Sequence, residues 1–510
     1  MNDLTSIVYI YHYDYYLFRI MAHDKTFFSQ QAHSSLTLVN YVHHDGIGDF
    51  RHLLDFVSFF NNTPVLKEIE LICIVINSHK PGNPQSVYIK EQLESMNVAH
   101  KILIHDSING HENLRQEIKK NRPLRKQLQH TIGIIDIALN TSYKLVIQEF
   151  CKDKPPTITI AEIDLYATYD QPSLTSGPEK SIDKSRYQAD HVYIMGLGKG
   201  KVGLKLTGGL FNSPQKAREA LQQLSDKRIK HLLLGQVDEE PISQETIDAF
   251  LQNNHFIPGY LQDIDTIFGF ISIFATNHKL NAERKNLIFY LNNYQNLFKK
   301  NYYDEDTGRR YSQFTDLLFD KHFSWHNVFA NSGIRSITIY NYSGQKPTEE
   351  EITLNLEGQQ ITIITGIMLN DTDYQLLYDI PQHFVAASGD NTLENAINHG
   401  LLFLMQYKYQ YETVREIAKI AERIKDTLGF NEEEIREFHA YFGEAHHLIS
   451  YSNEKSTKAR ALLQSIDLIR LSSNMRKVCA YLIENENFLH QLPEILQTDL
   501  LNISKPGMKQ

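Results

Sequence analysis

Apolar positions fall in short runs separated by amphipathic stretches, and this alternation organises most of the chain. Residues 36–42 (LTLVNYV), 70–76 (ELICIVI) and 99–104 (AHKILI) are short and largely β-branched, the pattern of strands buried on both faces. Between the first two, Phe50, Leu53, Leu54 and Val57 recur at helical spacing and predict a helix over 50–60; a second is predicted over 86–96. Residues 132–139 and 157–162 read as further strands. Strands alternating with helices predict a mostly parallel, doubly wound sheet over 1–165.

Residues 166–190 read as a linker: the stretch 170–190 is polar, lacks periodicity and holds Pro172, Gly177 and Pro178. A second series spans 191–408, with strands expected at 191–195, 231–234, 286–291, 334–341, 360–365, 383–387 and 401–404. Helices are expected at 243–253, 263–277 and 371–379. Residues 409–510 form a helical C-terminal region with a break at 429–431. The fold class is α/β, two similar domains and a helical extension. The expected ligand position is the cleft at the carboxyl ends of both sheets.

Composition narrows the function. The 510 residues are 42 % hydrophobic and 22 % charged, as in globular domains, and the net charge of −10 argues against a general nucleic-acid binder. Three scattered cysteines give no disulfide framework and no zinc site, with Cys73 in an apolar run. No signal peptide is visible and no apolar run is long enough to span a bilayer, so a cytoplasmic protein without a transmembrane segment is expected.

Three turns carry the candidate chemistry. In 43–49 (HHDGIGD), Gly46 and Gly48 permit a tight turn with exposed amides. Either Asp49 caps the next helix and Asp45 is a solvated turn residue, or one of them is a general base in the cleft. Two histidines beside two aspartates also suggest a metal site, the weakest of the three readings, because adjacent His43 and His44 tend to point opposite ways on an extended chain. In 196–203 (GLGKGKVG), no Ser or Thr follows the Lys at the P-loop offset, and VGLKL continues as strand rather than helix. The segment is either a glycine turn between strands or a cleft-rim loop whose Lys199 and Lys201 reach a diphosphate.

The third turn, in 383–396 (HFVAASGDNTLENA), runs from an apolar strand through small polar residues into a helix. A helix N-terminus offers unpaired amides and partial positive charge to an anion, though a plain capped helix reads the same way. Gly389 lets the backbone approach a ligand. Asn391 or Thr392 is the expected cap, and Glu394 suits the first turn. Asp390 repels phosphate, so it shapes the turn or accepts from a sugar hydroxyl. Elsewhere, His439, Glu444, His446 and His447 lack an HExxH spacing and read as a solvated helix face, and 9–16 (YIYHYDYY) as a packed edge strand or helix.

G-I-G-D after the first strand and S-G-D-N-T-x-x-E-A after a late one together resemble glycosyltransferases of the GT-B fold. The likeness is closest to GT-B-like proteins of intracellular bacteria, some of them effectors delivered into host cells. The resemblance implies two Rossmann-like αβα domains facing a cleft, the first holding the acceptor and the second the nucleotide-sugar donor. It implies a metal-independent, hexosyltransferase-type, inverting transfer to a protein or other acceptor. Asp49, or in its place Asp45, would be the base, with His44 in reserve. Donor contacts would come from Gly46, Ile47, Gly48, Gly196, Gly198, Lys199, Ser388, Gly389, Asp390, Asn391, Thr392 and Glu394, with the diphosphate on the amides of 391–393. No cofactor is implied. An effector would reach a host cytosol without a classical signal peptide. The sequence departs from the family at Thr392, usually Ser, and at Asn395, usually a small residue. A sugar-nucleotide epimerase of the same fold and an inactive protein-binding scaffold are the alternatives.

Overall fold

The computed structural model describes residues 34–43, 48–64, 66, 69–106, 109–138, 141–163, 188–208, 211–235, 242–261, 264–283, 285–292, 302–304, 309–311, 324–342, 346–405, 410–449 and 461–501. Contacts divide the chain into two compact units, Met1–Lys205 with Asn487–Gln510, and Leu206–Glu486. Each holds a mostly parallel α/β sheet, and helices dominate the C-terminal region.

The first unit is built on six strands: β1 (Ser35–Val42), β2 (Glu70–Asn77), β3 (His100–His105), β4 (Thr131–Ala138), β5 (Thr157–Ala161) and β6 (His191–Ile194). Their order is β3-β2-β1-β4-β5-β6, and every neighbouring pair is parallel. Strand order reverses between β1 and β4, the topological switch point. The β-branched runs form the core, with Leu36, Val39, Ile72, Ile74, Ile134 and Ile135 fully buried. Helix Gly48–Asn62 covers it with Phe50, Leu53, Phe56, Val57 and Phe60.

Two expectations change here. The strand read as opening the second series is β6, which pairs with β5 and closes the first sheet. The helical tail is also divided: helix Phe488–Leu501 belongs to the first unit. Phe488 packs edge-on against Phe56 at 6.1 Å, its amide donates to the Leu204 carbonyl, and Asp499 accepts from the Tyr193 hydroxyl at 2.8 Å. Both are long-range pairings that local patterning does not encode. Residues 202–206, read as strand, make only isolated bridges, Gly203 with Gly196 and Leu204 with Asn487.

The second unit contains β7 (Asn254–Tyr260), β8 (Asn286–Asn292), a ribbon of β9 (Tyr302–Asp304) with β10 (Arg309–Tyr311), then β11 (Ile334–Asn341), β12 (Thr348–Thr353), β13 (Gln359–Thr365), β14 (Phe384–Ala387) and β15 (Leu402–Met405). The seven-stranded sheet runs β12-β11-β13-β8-β7-β14-β15, parallel except for β12. Its switch point lies between β7 and β14. The segment 231–234, read as a strand, is the end of helix Lys227–Leu234: Asp226 accepts from the amides of Arg228 and Ile229, and Gly235 ends the helix at φ +69°. Helices Tyr411–Arg423, Lys425–Leu428, Glu432–Ile449 and Leu468–Asn485 follow, with the expected break at Gly429, φ +70°. All three cysteines are free and buried. Among the described residues no helix is long and apolar enough to cross a membrane.

Candidate functional site: two turns at switch points

Strand β14 ends at Ala387 and helix Asp390–Asn398 begins three residues later, at the switch point of the second sheet. The close fit between β7 and β14 depends on small residues. A Cβ on Gly259 would lie 2.9 Å from the Ala386 Cβ, and these two residues form the one paired position between the strands.

The helix cap differs from the expectation of Asn391 or Thr392. Gly389 is the N-cap residue in extended conformation, and Thr392, at the third helical position, reaches back. Its hydroxyl accepts from the amides of Ser388 and Gly389, each at 3.1 Å, and donates to the Gly389 carbonyl at 2.8 Å. A hydroxyl has one donor and two acceptor sites, so Thr392 is fully committed to shaping the turn. The Leu393 amide is also committed, donating to the Gly389 carbonyl at 3.0 Å. Of the amides 391–393 expected under a diphosphate, it is the one that belongs to the helix ladder.

Ser388 is 4 % exposed, and its hydroxyl has no partner among the described residues. Leaving such a group unsatisfied costs about 1–3 kcal/mol, which a ligand atom would relieve. Asp390 is buried and its Oδ1 accepts from the side chain of Gln410, from Nε2 at 2.7 Å. Glu394, expected in the first turn, is the fifth residue of the helix, one turn in, because the helix starts at Asp390; it is buried, and Asn391 is partly exposed. Gln410 went unnoticed in the sequence: it is buried, and its Oε1 has no partner among the described residues. It stands 20 positions from Asp390 with no local signal linking them.

The other turn follows β1 at the first sheet's switch point. His44, Asp45, Gly46 and Ile47 lie outside the described residues. Gly48 is exposed at the start of its helix, and Asp49 is half-buried in the first turn. Asp49 Oδ2 accepts from the His43 amide at 3.0 Å, tying the helix back to the strand end. Asn40, fully buried in β1, donates from Nδ2 to the carbonyls of Asp49 (2.9 Å) and Ile137 (3.2 Å). One side chain therefore holds both sides of the switch point, a role visible in the sequence only as a lone polar residue within LTLVNYV.

The glycine loop is a tight reversal. Gly196 and Gly203 exchange backbone hydrogen bonds of 2.9 and 3.1 Å, and Gly198 and Gly200 adopt φ of 103° and 78°. Lys199 is exposed on it. Gly196, Gly198 and Lys199 belong to the first unit, whereas 388–394 belong to the second. On the C-terminal helices, His439 Nε2 meets Glu422 at 3.1 Å on an exposed face. The side chains of Glu444, His446 and His447 and the segment 9–16 lie outside the described residues.

Replacing Thr392 with Val should remove the acceptor of two amides and destabilise the second unit by about 1–3 kcal/mol, with Thr392→Ser close to wild type. Urea denaturation of both variants measures the difference. Equal stability of Thr392→Val and wild type would show that the hydroxyl does not hold the turn.

No protein-family profile matches the chain, and no curated protein matches it in sequence. Among solved structures it is similar to an α,α-trehalose-phosphate synthase (UDP-forming) from Burkholderia vietnamiensis, at 10 % identity and TM-score 0.38, over 92 % of this chain and 100 % of that one. It is similar to the UDP-GlcNAc 2-epimerase from Methanocaldococcus jannaschii at 12 % identity and TM-score 0.37, over 85 % and 94 %. A UGT transferase from Siraitia grosvenorii in complex with UDP overlaps at 10 % identity and TM-score 0.34, over 84 % and 99 %.

Proposed function

We propose that this protein is a metal-independent glycosyltransferase that uses a nucleotide-diphosphate sugar. One observation supports the reading above the others. Each of the two turns that carry the motif pair follows the strand at the switch point of its own sheet, where doubly wound sheets take their ligands. On the second unit, the diphosphate lies at the N-terminus of helix Asp390–Asn398, where the helix dipole favours negative charge. Ser388 supplies a hydroxyl to it. Thr392, Gly389 and Asp390 hold the turn's shape rather than contacting phosphate.

On the first unit, Asp49 acts as the general base toward the acceptor. One of its oxygens is held by the His43 amide. The other, with no partner among the described residues, takes the proton as the acceptor attacks the anomeric carbon. The attack inverts that centre, the nucleoside diphosphate leaves, and the helix end stabilises its charge.

Asp49→Asn keeps the carboxylate's shape and removes its basicity. Transfer from a panel of nucleotide sugars should fall about 100-fold while donor affinity stays at the wild-type value. Single-turnover kinetics beside calorimetric donor titration separates the two quantities, and unchanged turnover would remove Asp49 from the mechanism.

A further inference from the structure

A second constellation on the first unit's carboxyl edge is used by neither turn. Asp106 directly follows β3, Tyr41 lies near the end of β1, and Tyr143 opens helix Tyr143–Gln148 after β4. Three separate carboxyl-edge segments therefore converge on one carboxylate. Tyr143 donates its hydroxyl to Asp106 Oδ1 at 2.6 Å, and Tyr41 donates to Oδ2 at 2.7 Å. These are charge-assisted lengths. The two phenol rings stack at 6.3 Å with 22° between planes. His111 lies 4.5 Å from the Tyr143 ring, with Nε2 at 2.8 Å from the Ser142 hydroxyl.

The backbone is fitted to this arrangement. Gly110 begins helix Gly110–Lys120, and a Cβ there would lie 2.1 Å from the Tyr143 hydroxyl oxygen and 2.6 Å from Asp106 Oδ1. Only glycine lets that phenol reach the carboxylate. Burial and the Asp106 charge push Tyr41 up to about 12, and the same causes raise Tyr143, so both phenols remain donors at neutral pH. Asp106 is thus a fixed, partly exposed acceptor with one further lone pair on each oxygen.

We propose that Asp106, oriented by Tyr41 and Tyr143, binds the hydroxyl groups of a carbohydrate, and that the acceptor of the transfer reaction is of this class. Two phenol donors already draw on the carboxylate charge, which disfavours a bare cation and leaves acceptor sites suited to neutral O–H groups. The fixed fork gives directionality, which a sugar with several hydroxyls can use and a compact cation cannot. The acceptor assignment rests on the glycosyltransferase reading, but the binding site does not.

The experiment titrates the full chain with methyl α-D-glucopyranoside and, separately, with methylguanidinium, followed by NMR, and with UDP, GDP, ADP and dTDP followed by calorimetry. Wild type should bind the glucoside saturably and methylguanidinium not at all. Asp106→Asn should weaken the glucoside about tenfold or more, because an amide cannot accept from both phenols and a sugar. Tyr143→Phe keeps the ring and should weaken binding to a lesser degree, which covers the case in which Asp106→Asn fails to fold. No saturable glucoside binding by wild type, equal affinity in the variants, or a preference for methylguanidinium would each overturn the proposal. A missing response of wild type to all four diphosphates would instead overturn the donor reading alone.

Discussion

Asp136→Asn should lower the stability of the first unit by about 3–5 kcal/mol, the usual cost of stripping one partner from a buried ion pair. Asp136 and Lys144 both have fully buried side chains, with Nζ 2.9 Å from Oδ2. The carboxylate also accepts from the Thr141 amide at 2.7 Å and from its hydroxyl at 3.2 Å, which ties Thr141 back to β4. Burial pushes Asp136 up to about 6 against these partners, which leaves it ionised at pH 7. Asparagine would keep some hydrogen bonds while leaving the buried ammonium without its counter-charge.

The double variant Asp136→Asn/Lys144→Met removes both charges and should recover most of the loss, since buried pairs are costly to break and cheap to replace. Urea denaturation of the two variants tests this. A single variant within about 1 kcal/mol of wild type would mean that Lys144 reaches solvent in the native state. The ion pair bears on function because Asp136 lies in β4, the strand beside β1 at the switch point that Asn40 bridges, and Ala138, the last residue of β4, sits at φ +75°.

Acid should destabilise the second unit through two histidines at the amino edge of its sheet. His255 lies in β7 and His383 immediately precedes β14, with ring centroids 6.2 Å apart. Burial lowers His255 to about 3, helped by Lys285 and His383, and lowers His383 to about 4, helped by Arg476 and Lys285. Glu283 lies 3.1 Å from His255 Nε2 and would favour the charged ring, but its side chain is 36 % exposed and desolvation outweighs it. His383 Nδ1 pairs instead with the Ser472 hydroxyl at 3.3 Å, on helix Leu468–Asn485.

Both folded values lie below the unfolded value of about 6.5. The unfolded chain therefore binds more protons in the window between, and stability rises with pH across it. The contribution is complete above about pH 6.5, shrinks as the pH falls, and is exhausted below the folded values. At about pH 5 each ring should have lost about 2 kcal/mol relative to neutral pH, about 4 kcal/mol together. Other carboxylates titrate in this range, so the informative quantity is a difference of slopes. His255→Leu/His383→Leu should flatten the pH dependence of urea stability between about pH 7.5 and 5 by that amount. An unchanged slope would mean that the rings are not buried as neutral groups.

How much of this could be read from sequence depended on the kind of signal. Strands β1, β2, β4, β11 and β13 were legible because continuous β-branched runs suit only a strand buried on both faces. β7 was not, because Pro258 and Gly259 interrupt its apolar run. Pro258 lacks an amide to donate, in keeping with β7 meeting β14 at a single position, and Gly259 is what lets the strands approach. This strand, unread like β9, β10 and β12, is half of the second switch point. The segment 231–234 misled because a short apolar run fits helix or strand, although Asp226 and Gly235 already marked a helix start and stop.

The candidate site was legible as a motif and not as a network. Ser388, Gly389 and Asp390 stood out because small polar residues joined an apolar strand to a helical pattern. That Thr392 serves the turn, that Gln410 holds Asp390 and that Asn40 holds Asp49 depend on which hydrogen bonds close in space. The assignment of β6 and helix Phe488–Leu501 to the first unit is equally non-local.

The central claim is that the turn after β14 holds a nucleoside diphosphate. It is tested most directly by titrating the full chain with UDP, GDP, ADP and dTDP and with their free nucleosides, followed by thermal unfolding. The account predicts that at least one diphosphate stabilises the chain, by about 2.7 kcal/mol at 100 times its Kd. Its nucleoside should do far less, and Ser388→Ala should weaken the diphosphate effect. Stabilisation by no diphosphate, or an equal response from a nucleoside lacking phosphate, would contradict it.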